Sequence, residues 1–220
     1  MNALRILHID DEPDIRAVVE ISLGQDPGFT VRSCGSSRDA LAMVSDWSPH
    51  LILSDVAMPG MDGPAMLARL RDDENTSRIP VVFMTARAAV GDREHLQELG
   101  AAGVIAKPFD PTTLPECVRG HLRAAGMKAL FHGFMRRLQS DVKALAECRS
   151  MLEQEEDTSA VLASIRAFAH ALAGAAGVFG LHEIGRRAGE LEEAVIGNRD
   201  ADASGVKLAL DRLIVGVNPS

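Results

Sequence analysis

The chain has 220 residues, 46% hydrophobic and 25% charged, an ordinary globular composition with apolar material for two modest cores. Aromatic residues make up only 4%, with one Trp and no Tyr, so those cores must be aliphatic. The formal net charge of −8 argues against a nucleic-acid-binding output, which needs a basic face to neutralise phosphates.

In chain order, short apolar runs alternate with helical patterns over the first 125 residues. The runs are Leu4–Ile9, Phe29–Ser33, Leu51–Ser54, Val81–Thr85 and Gly103–Ala106. Between and after them, helices are predicted over Ile15–Leu23, Asp39–Trp47, Pro64–Arg71, Gly91–Leu99 and Pro111–Leu122. Strand then helix, five times over, predicts an α/β domain with a doubly wound, five-stranded parallel sheet. Breakers punctuate it: Gly24, Pro27 and Gly28 end the first helix, Pro49 precedes the third strand, and Pro80 opens the fourth.

The character changes near Ala124-Ala125-Gly126, with Gly126 expected as a hinge. Beyond it, helices are predicted near Met127–Gln154, Thr158–Gly177, Leu181–Gly197 and Asp202–Val215, with breaks at Asp157-Thr158, Gly180 and Gly197-Asn198. Four helices with short connections predict an antiparallel bundle. The expected division is therefore 1–125, α/β, followed by 126–220, all-α.

Cys34, Cys117 and Cys148 have no metal-ligand or CxxC spacing and read as buried small hydrophobes. Their odd, sparse count suits a reducing cytoplasm. The start MNALRILHIDDE has no long apolar stretch behind a basic segment, so no signal peptide is expected. The charge-poor stretch Ala167–Leu181 is shorter than the roughly 20 apolar residues that a bilayer span needs, and it contains a histidine and three glycines. No membrane insertion is expected.

In a doubly wound sheet, ligands sit outside the carboxyl ends of the strands. This sequence places Asp10 and Asp11 after the first strand, Asp55 at the end of the third, Thr85 at the end of the fourth and Lys107 after the fifth. Three carboxylates brought together repel one another and become tolerable around a hard divalent cation, for which Mg²⁺ is suited. Such a cation neutralises charge on a transferring phosphoryl group. A carboxylate can act as the nucleophile and become an acyl phosphate. Lysine and threonine nearby can hold the phosphoryl oxygens. Met58 and Met61, flanked by Gly60 and Gly63, are expected to pack a loop beside the site.

The stretches LHIDDEPD, LILSDVAMPGMDG, VVFMTA and VIAKPF, in that order, resemble a two-component response-regulator receiver domain with a flavodoxin-like fold. The resemblance implies Asp55 as phosphoacceptor, Asp10 and Asp11 as the acid pair, and Mg²⁺ bound by Asp11, Asp55 and the backbone carbonyl of Ala57. It implies that Thr85 and Lys107 contact the phosphoryl group and that the Lys107–Pro108 bond is cis. Many receivers carry an aromatic residue three positions before this lysine; here the position is Val104.

On a helix at 100° per residue, Val161, Leu162, Ile165, Phe168, Ala169, Leu172 and Ala176 form one apolar stripe. His170 falls opposite its centre and is expected to face solvent. Gly174 and Gly177 lie beside it, each costing about 1 kcal/mol relative to alanine in a helix. Bare backbone there admits another protein close to an imidazole, which in its neutral form is a competent nucleophile. The segment HALAGAAG, followed by VFGL and a helix containing Leu191-Glu192, resembles the histidine phosphotransfer (HPt) family. That resemblance implies a four-helix bundle in which His170 relays a phosphoryl group without binding ATP. The family often has lysine three positions after the histidine, whereas this chain has Ala173, and Arg166 is the nearest alternative cation. His95, His132 and His182 read as surface or boundary residues, and Arg186-Arg187 as a solvated face.

The two resemblances together imply a cytoplasmic phosphorelay protein. Its partners would be a sensor histidine kinase or HPt donor and another response-regulator receiver. Without an ATP-binding kinase motif, its own catalysis is limited to phosphoaspartate autodephosphorylation. The alternative is a phosphorylation-gated interaction module, with an inert His170 on a binding or dimerisation element.

Overall fold

The computed structural model describes residues 3–86, 89–153, 158–198 and 203–217. The chain divides into two compact units, Met1–Lys128 and Ala129–Ser220. In the first, β1 (Leu4–Ile9), β2 (Phe29–Cys34), β3 (Leu51–Asp55), β4 (Val81–Thr85) and β5 (Gly103–Ala106) form one sheet. The strand order is β2-β1-β3-β4-β5 and every pairing is parallel. Interleaved helices are α1 (Pro13–Gly24), α2 (Ser37–Trp47), α3 (Gly63–Asp72) and α4 (Val90–Glu98), and α5 (Leu114–Met151) follows β5.

The central strands read as nearly continuous apolar runs because both sheet faces are buried. Side chains alternate between two cores. Leu7, Ile9, Ile52, Val81 and Phe83 pack with Ala40, Val44, Met66, Leu67, Leu70 and Leu96. Ile6, Leu51, Leu53, Val82 and Met84 pack with Val19, Leu23, Leu114 and Val118 on the other face. The helix starts are encoded locally. Pro13 opens α1, Ser36 accepts the Asp39 N–H at the start of α2, and Asp62 accepts the Ala65 N–H at the start of α3. The expected α/β fold is thus present, with each strand within one residue of its predicted bounds.

The second unit contains the rest of α5 with α6 (Ser159–Val178), α7 (His182–Gly197) and α8 (Ser204–Val217). Leu138, Val142 and Leu145 of α5 share one core with Val161, Ile165, Ala169 and Leu172 of α6, Ala188 and Leu191 of α7, and Val206, Leu210 and Leu213 of α8. Gly180 turns α6 back onto α7 with a φ of 71°, a left-handed conformation that costs glycine nothing sterically. By length and composition α6 could cross a membrane. Its apolar stripe is instead spent on this core, while Arg166 and His170 on the opposite side are exposed.

Two expectations need correction. The backbone is helical through Gly126, so α5 replaces the two helices expected on either side of a hinge there. One glycine costs a helix about 1 kcal/mol, which its flanking turns outweigh. The cysteines are not fully buried: Cys117 is exposed, and Cys34 and Cys148 are half-buried. The predicted terminal and break positions Gln154, Asp157 and Asp202 lie outside the described residues.

Candidate functional site

Parallel register brings the polar strand ends of the first unit to one edge. Ile9 lies beside Ser54, Asp55 beside Met84, and Thr85 beside Ala106. The residues that follow or end these strands therefore converge. Carboxylate oxygens of Asp10, Asp11 and Asp55 all lie within 4.8 Å of one another. Lys107 Nζ is 2.6 Å from Asp10 Oδ2 and 3.4 Å from Asp55 Oδ2. A cleft of about 570 Å³ opens beside them, lined by Asp55, Ala57, Thr85 and Lys107 and by Asp92 and His95 of α4.

The acids differ in setting. Asp10 is fully buried and accepts the backbone N–H of Glu12 at 3.0 Å. It is thus tied to the first turn of α1 without being its cap. Asp55 accepts the Val56 N–H at 2.9 Å. Burial pushes the Asp55 carboxyl above its ordinary value, Lys107 pulls it back, and the Asp10 charge adds to the rise. Burial alone would lower the Lys107 ammonium, but its contacts with Asp10 and Asp55 outweigh that and raise its pKa. Lys107 is therefore charged and held over both acids. The Lys107–Pro108 bond is cis, as the resemblance implies. The donor set is all oxygen, with three clustered carboxylates against one ammonium, which suits a hard divalent cation.

Three supporting residues escaped the sequence reading. His8 is fully buried with its Nε2 4.0 Å from Asp10 Oδ2, and burial drops its pKa to about 4, so it stands neutral behind the acid. Gly63 is forced by close approach: a Cβ there would collide with the Asp55 carbonyl oxygen and sit 2.7 Å from the Phe83 ring. His95, expected merely at the surface, is exposed but lines the cleft. Met58 is buried and Met61 half-buried against the α2–α3 core, packing the loop beside Asp55. Val104 is half-buried against that core as well.

The chain belongs to the response-regulator receiver family. The family model for the response regulator receiver domain matches residues 6–119, and the model for the Hpt domain matches residues 126–216. Among curated relatives, Response regulator Rre1 of Synechocystis sp. is 36% identical over 119 residues, 54% of this chain and 52% of that protein. The phosphate regulon transcriptional regulatory protein PhoB of Pseudomonas aeruginosa is 34% identical over 121 residues, 55% of this chain and 52% of that protein. This chain thus spans about half the length of such relatives. Among solved structures, the chemotaxis response regulator CheY4 of Vibrio cholerae superposes with a TM-score of 0.51 at 29% identity, covering 55% of this chain and 99% of that one. A receiver followed by an Hpt domain is the domain composition of a phosphorelay protein.

In the Hpt unit, the His170 side chain is 78% exposed on α6. Its Nδ1 faces both carboxylate oxygens of Glu192 on α7, at 3.1 and 3.2 Å. Glu192 is the partner that sequence reading named only as part of a motif. A signal for it exists: in an antiparallel helical hairpin, residues equidistant from the turn face each other, and 170 and 192 are centred on Leu181. A Cβ at Gly174 or Gly177 would meet nothing within 4 Å, so the glycines open space beside the imidazole and fill no internal contact. Arg186 and Arg187 are not a free basic patch. Arg186 pairs with Glu183 and Glu190, and Arg187 with Glu183 and the Arg212 carbonyl.

Proposed function

We propose that this protein relays phosphoryl groups between histidine and aspartate, with Asp55 and His170 as its two acceptor residues. The observation that carries the reading is the Lys107 ammonium held over the Asp10 and Asp55 carboxylates at one strand edge. Asp55 Oδ attacks the phosphorus of a phosphohistidine on a donor. The O–P bond forms as the P–N bond breaks, and the electron pair leaves with the imidazole. Asp10, Asp11, Asp55 and the Ala57 carbonyl would hold Mg²⁺, which when bound offsets the charge on the transferring phosphoryl oxygens. Lys107 and the Thr85 hydroxyl hold those oxygens from the protein side. Hydrolysis of the resulting acyl phosphate is a turnover of the chain's own.

On the Hpt unit, Glu192 accepts a hydrogen bond from Nδ1–H of His170, which fixes the tautomer that leaves Nε2 free as nucleophile. The glycine-cleared surface lets a receiver aspartyl phosphate reach it. We infer a sensor histidine kinase or Hpt protein as donor, a receiver domain as the partner of His170, and a cytoplasmic setting. The acidic chain, with its Hpt arginines paired internally, favours no nucleic acid.

The test uses a phosphorylated Hpt donor with wild type, Asp55→Asn and His170→Gln. Acid-labile, alkali-stable label is expected on wild type and lost with His170→Gln; with Asp55→Asn it should appear only when a separate receiver is added to carry the group from the donor histidine to His170. Mg²⁺ removal should abolish the acid-stable, alkali-labile label on Asp55. Absence of label on His170 from every receiver tried would leave only the phosphorylation-gated module. Persistence of Asp55 label without metal would sink the account of the acidic cluster.

A further inference from the structure

A shallow cleft of about 390 Å³ surrounds His170, lined by Ala163, Arg166, Ala167, His170 and Glu192. Its position on α6 follows from helix geometry. Side chains on a helix lean toward its N-terminus, so the imidazole lies over the preceding turn, where Arg166 and Ala167 sit. Alanines at 163 and 167 leave the floor low. The walls are one anion, Glu192, and one cation, Arg166.

The charges in this cleft do not suit a phosphorylated histidine without help. A phosphoryl group brings close to two negative charges at neutral pH, and it would arrive beside the Glu192 carboxylate. Position 173, one turn further along, is alanine and supplies no charge. Arg166 is the cation in place. Arg149 is committed to Glu153 and Asp211, Arg186 to Glu183 and Glu190, and Arg187 to Glu183, while Arg136, Arg137 and Arg212 do not line this cleft. Arg166 forms no ion pair with any described residue.

Resting on the reading of His170 as a relay residue, we propose that Arg166 is the phosphoryl-binding cation of the Hpt site, replacing a cation at position 173. In the step it serves, the Nε2 lone pair forms the N–P bond as the P–O bond to a receiver aspartate breaks. The bonding pair leaves with that carboxylate. The proton stays on Nδ1, where Glu192 offsets the positive charge gained by the ring. Arg166 donates N–H groups to the phosphoryl oxygens, whose charge is spread during transfer.

The test uses the full chain carrying Asp55→Asn, so that label cannot drain to its own receiver. This chain is phosphorylated on His170 with potassium phosphoramidate, then chased with the His170→Gln chain, whose Asp55 is intact, in Mg²⁺. Adding Arg166→Gln should lower the saturating transfer rate about tenfold, the worth of one charge-assisted hydrogen bond, with little change in half-saturating acceptor concentration. The ³¹P resonance of the phosphohistidine should move. Arg166→Lys should keep most of the rate, and Ala173→Lys should restore it in the Arg166→Gln chain, because lysine there leans back toward His170. Unchanged transfer and an unmoved ³¹P resonance in Arg166→Gln overturn the role of Arg166 and leave that of His170 standing. No phosphohistidine in the chain with Arg166 intact, judged against an Asp55→Asn/His170→Gln control, overturns both.

Discussion

Nδ1 of His170 sits 3.1 Å from one oxygen of Glu192 and 3.2 Å from the other, although the histidine itself is largely in solvent. The carboxylate is the better buried partner, with its side chain 20% exposed, so the anchored group orients the mobile one. Glu192→Ala should slow phosphotransfer through His170 about threefold to tenfold, the range of one hydrogen bond to a charged group at a partly exposed site. Glu192→Gln keeps an acceptor oxygen and should lose less. ¹⁵N chemical shifts of the imidazole give an independent check. They should report a proton fixed on Nδ1 in the wild type and a tautomer mixture in Glu192→Ala.

Gly63→Ala should disturb the receiver site without touching any reacting group. The new methyl would meet the Asp55 carbonyl oxygen and the Phe83 ring, and Phe83 is fully buried in the α2–α3 core. Overpacking of this kind costs about 1–3 kcal/mol. Melting of the receiver unit should fall by several degrees, and Asp55 labelling by acetyl phosphate should slow because the carboxylate is displaced. An unchanged melt with full labelling would mean that α3 shifts freely away from β3.

These residues also mark what the sequence could and could not reveal. Asp10, Asp55, Thr85 and Lys107 were legible because strand ends in a doubly wound sheet share one edge whatever the details of packing. His170 was legible because the apolar stripe of α6 leaves only one direction for it. Gly63 was not: its need for a bare Cα arises from how closely α3 approaches β3, which no local pattern encodes. Glu192 required pairing two helices across the Gly180 turn. The run of α5 through Gly126 was hidden because a glycine weakens a helix without deciding its end, and the turns on both sides decide otherwise.

Glu183 offers a pH test away from both sites. It accepts from Arg186 and Arg187, and these bonds pull its carboxyl from an ordinary 4.5 to about 2. A carboxyl lowered on folding binds its proton less tightly in the native state. Its contribution is therefore complete above 4.5 and lost as pH falls from there toward 2. Glu183→Gln should melt below wild type at neutral pH, and the two should converge through that window. The side chain is exposed, so salt should shrink the neutral-pH gap as well. A gap that stays constant from pH 7 to pH 2 would assign it to packing of the side chain.

Lys107 ties the receiver cluster together, and its removal separates charge from packing. Lys107→Met keeps the aliphatic stem and deletes the ammonium 2.6 Å from Asp10, whose side chain has no exposure to solvent. Stranding one partner of a buried pair costs about 3–5 kcal/mol. Lys107 is itself 13% exposed, so the lower figure applies, about 3 kcal/mol. In chelator, the urea midpoint of the receiver unit should drop by about 1.5 M, taking a slope near 2 kcal/mol per molar. Mg²⁺ should then raise the midpoint of Lys107→Met more than that of wild type, because in the variant the cation would be the first positive charge to reach Asp10, Asp11 and Asp55. Labelling of Asp55 should stay slow even at saturating Mg²⁺, since the phosphoryl oxygens have lost their protein-borne cation. Equal Mg²⁺ stabilisation in the two proteins would show that Lys107 and the metal do not answer to the same carboxylates.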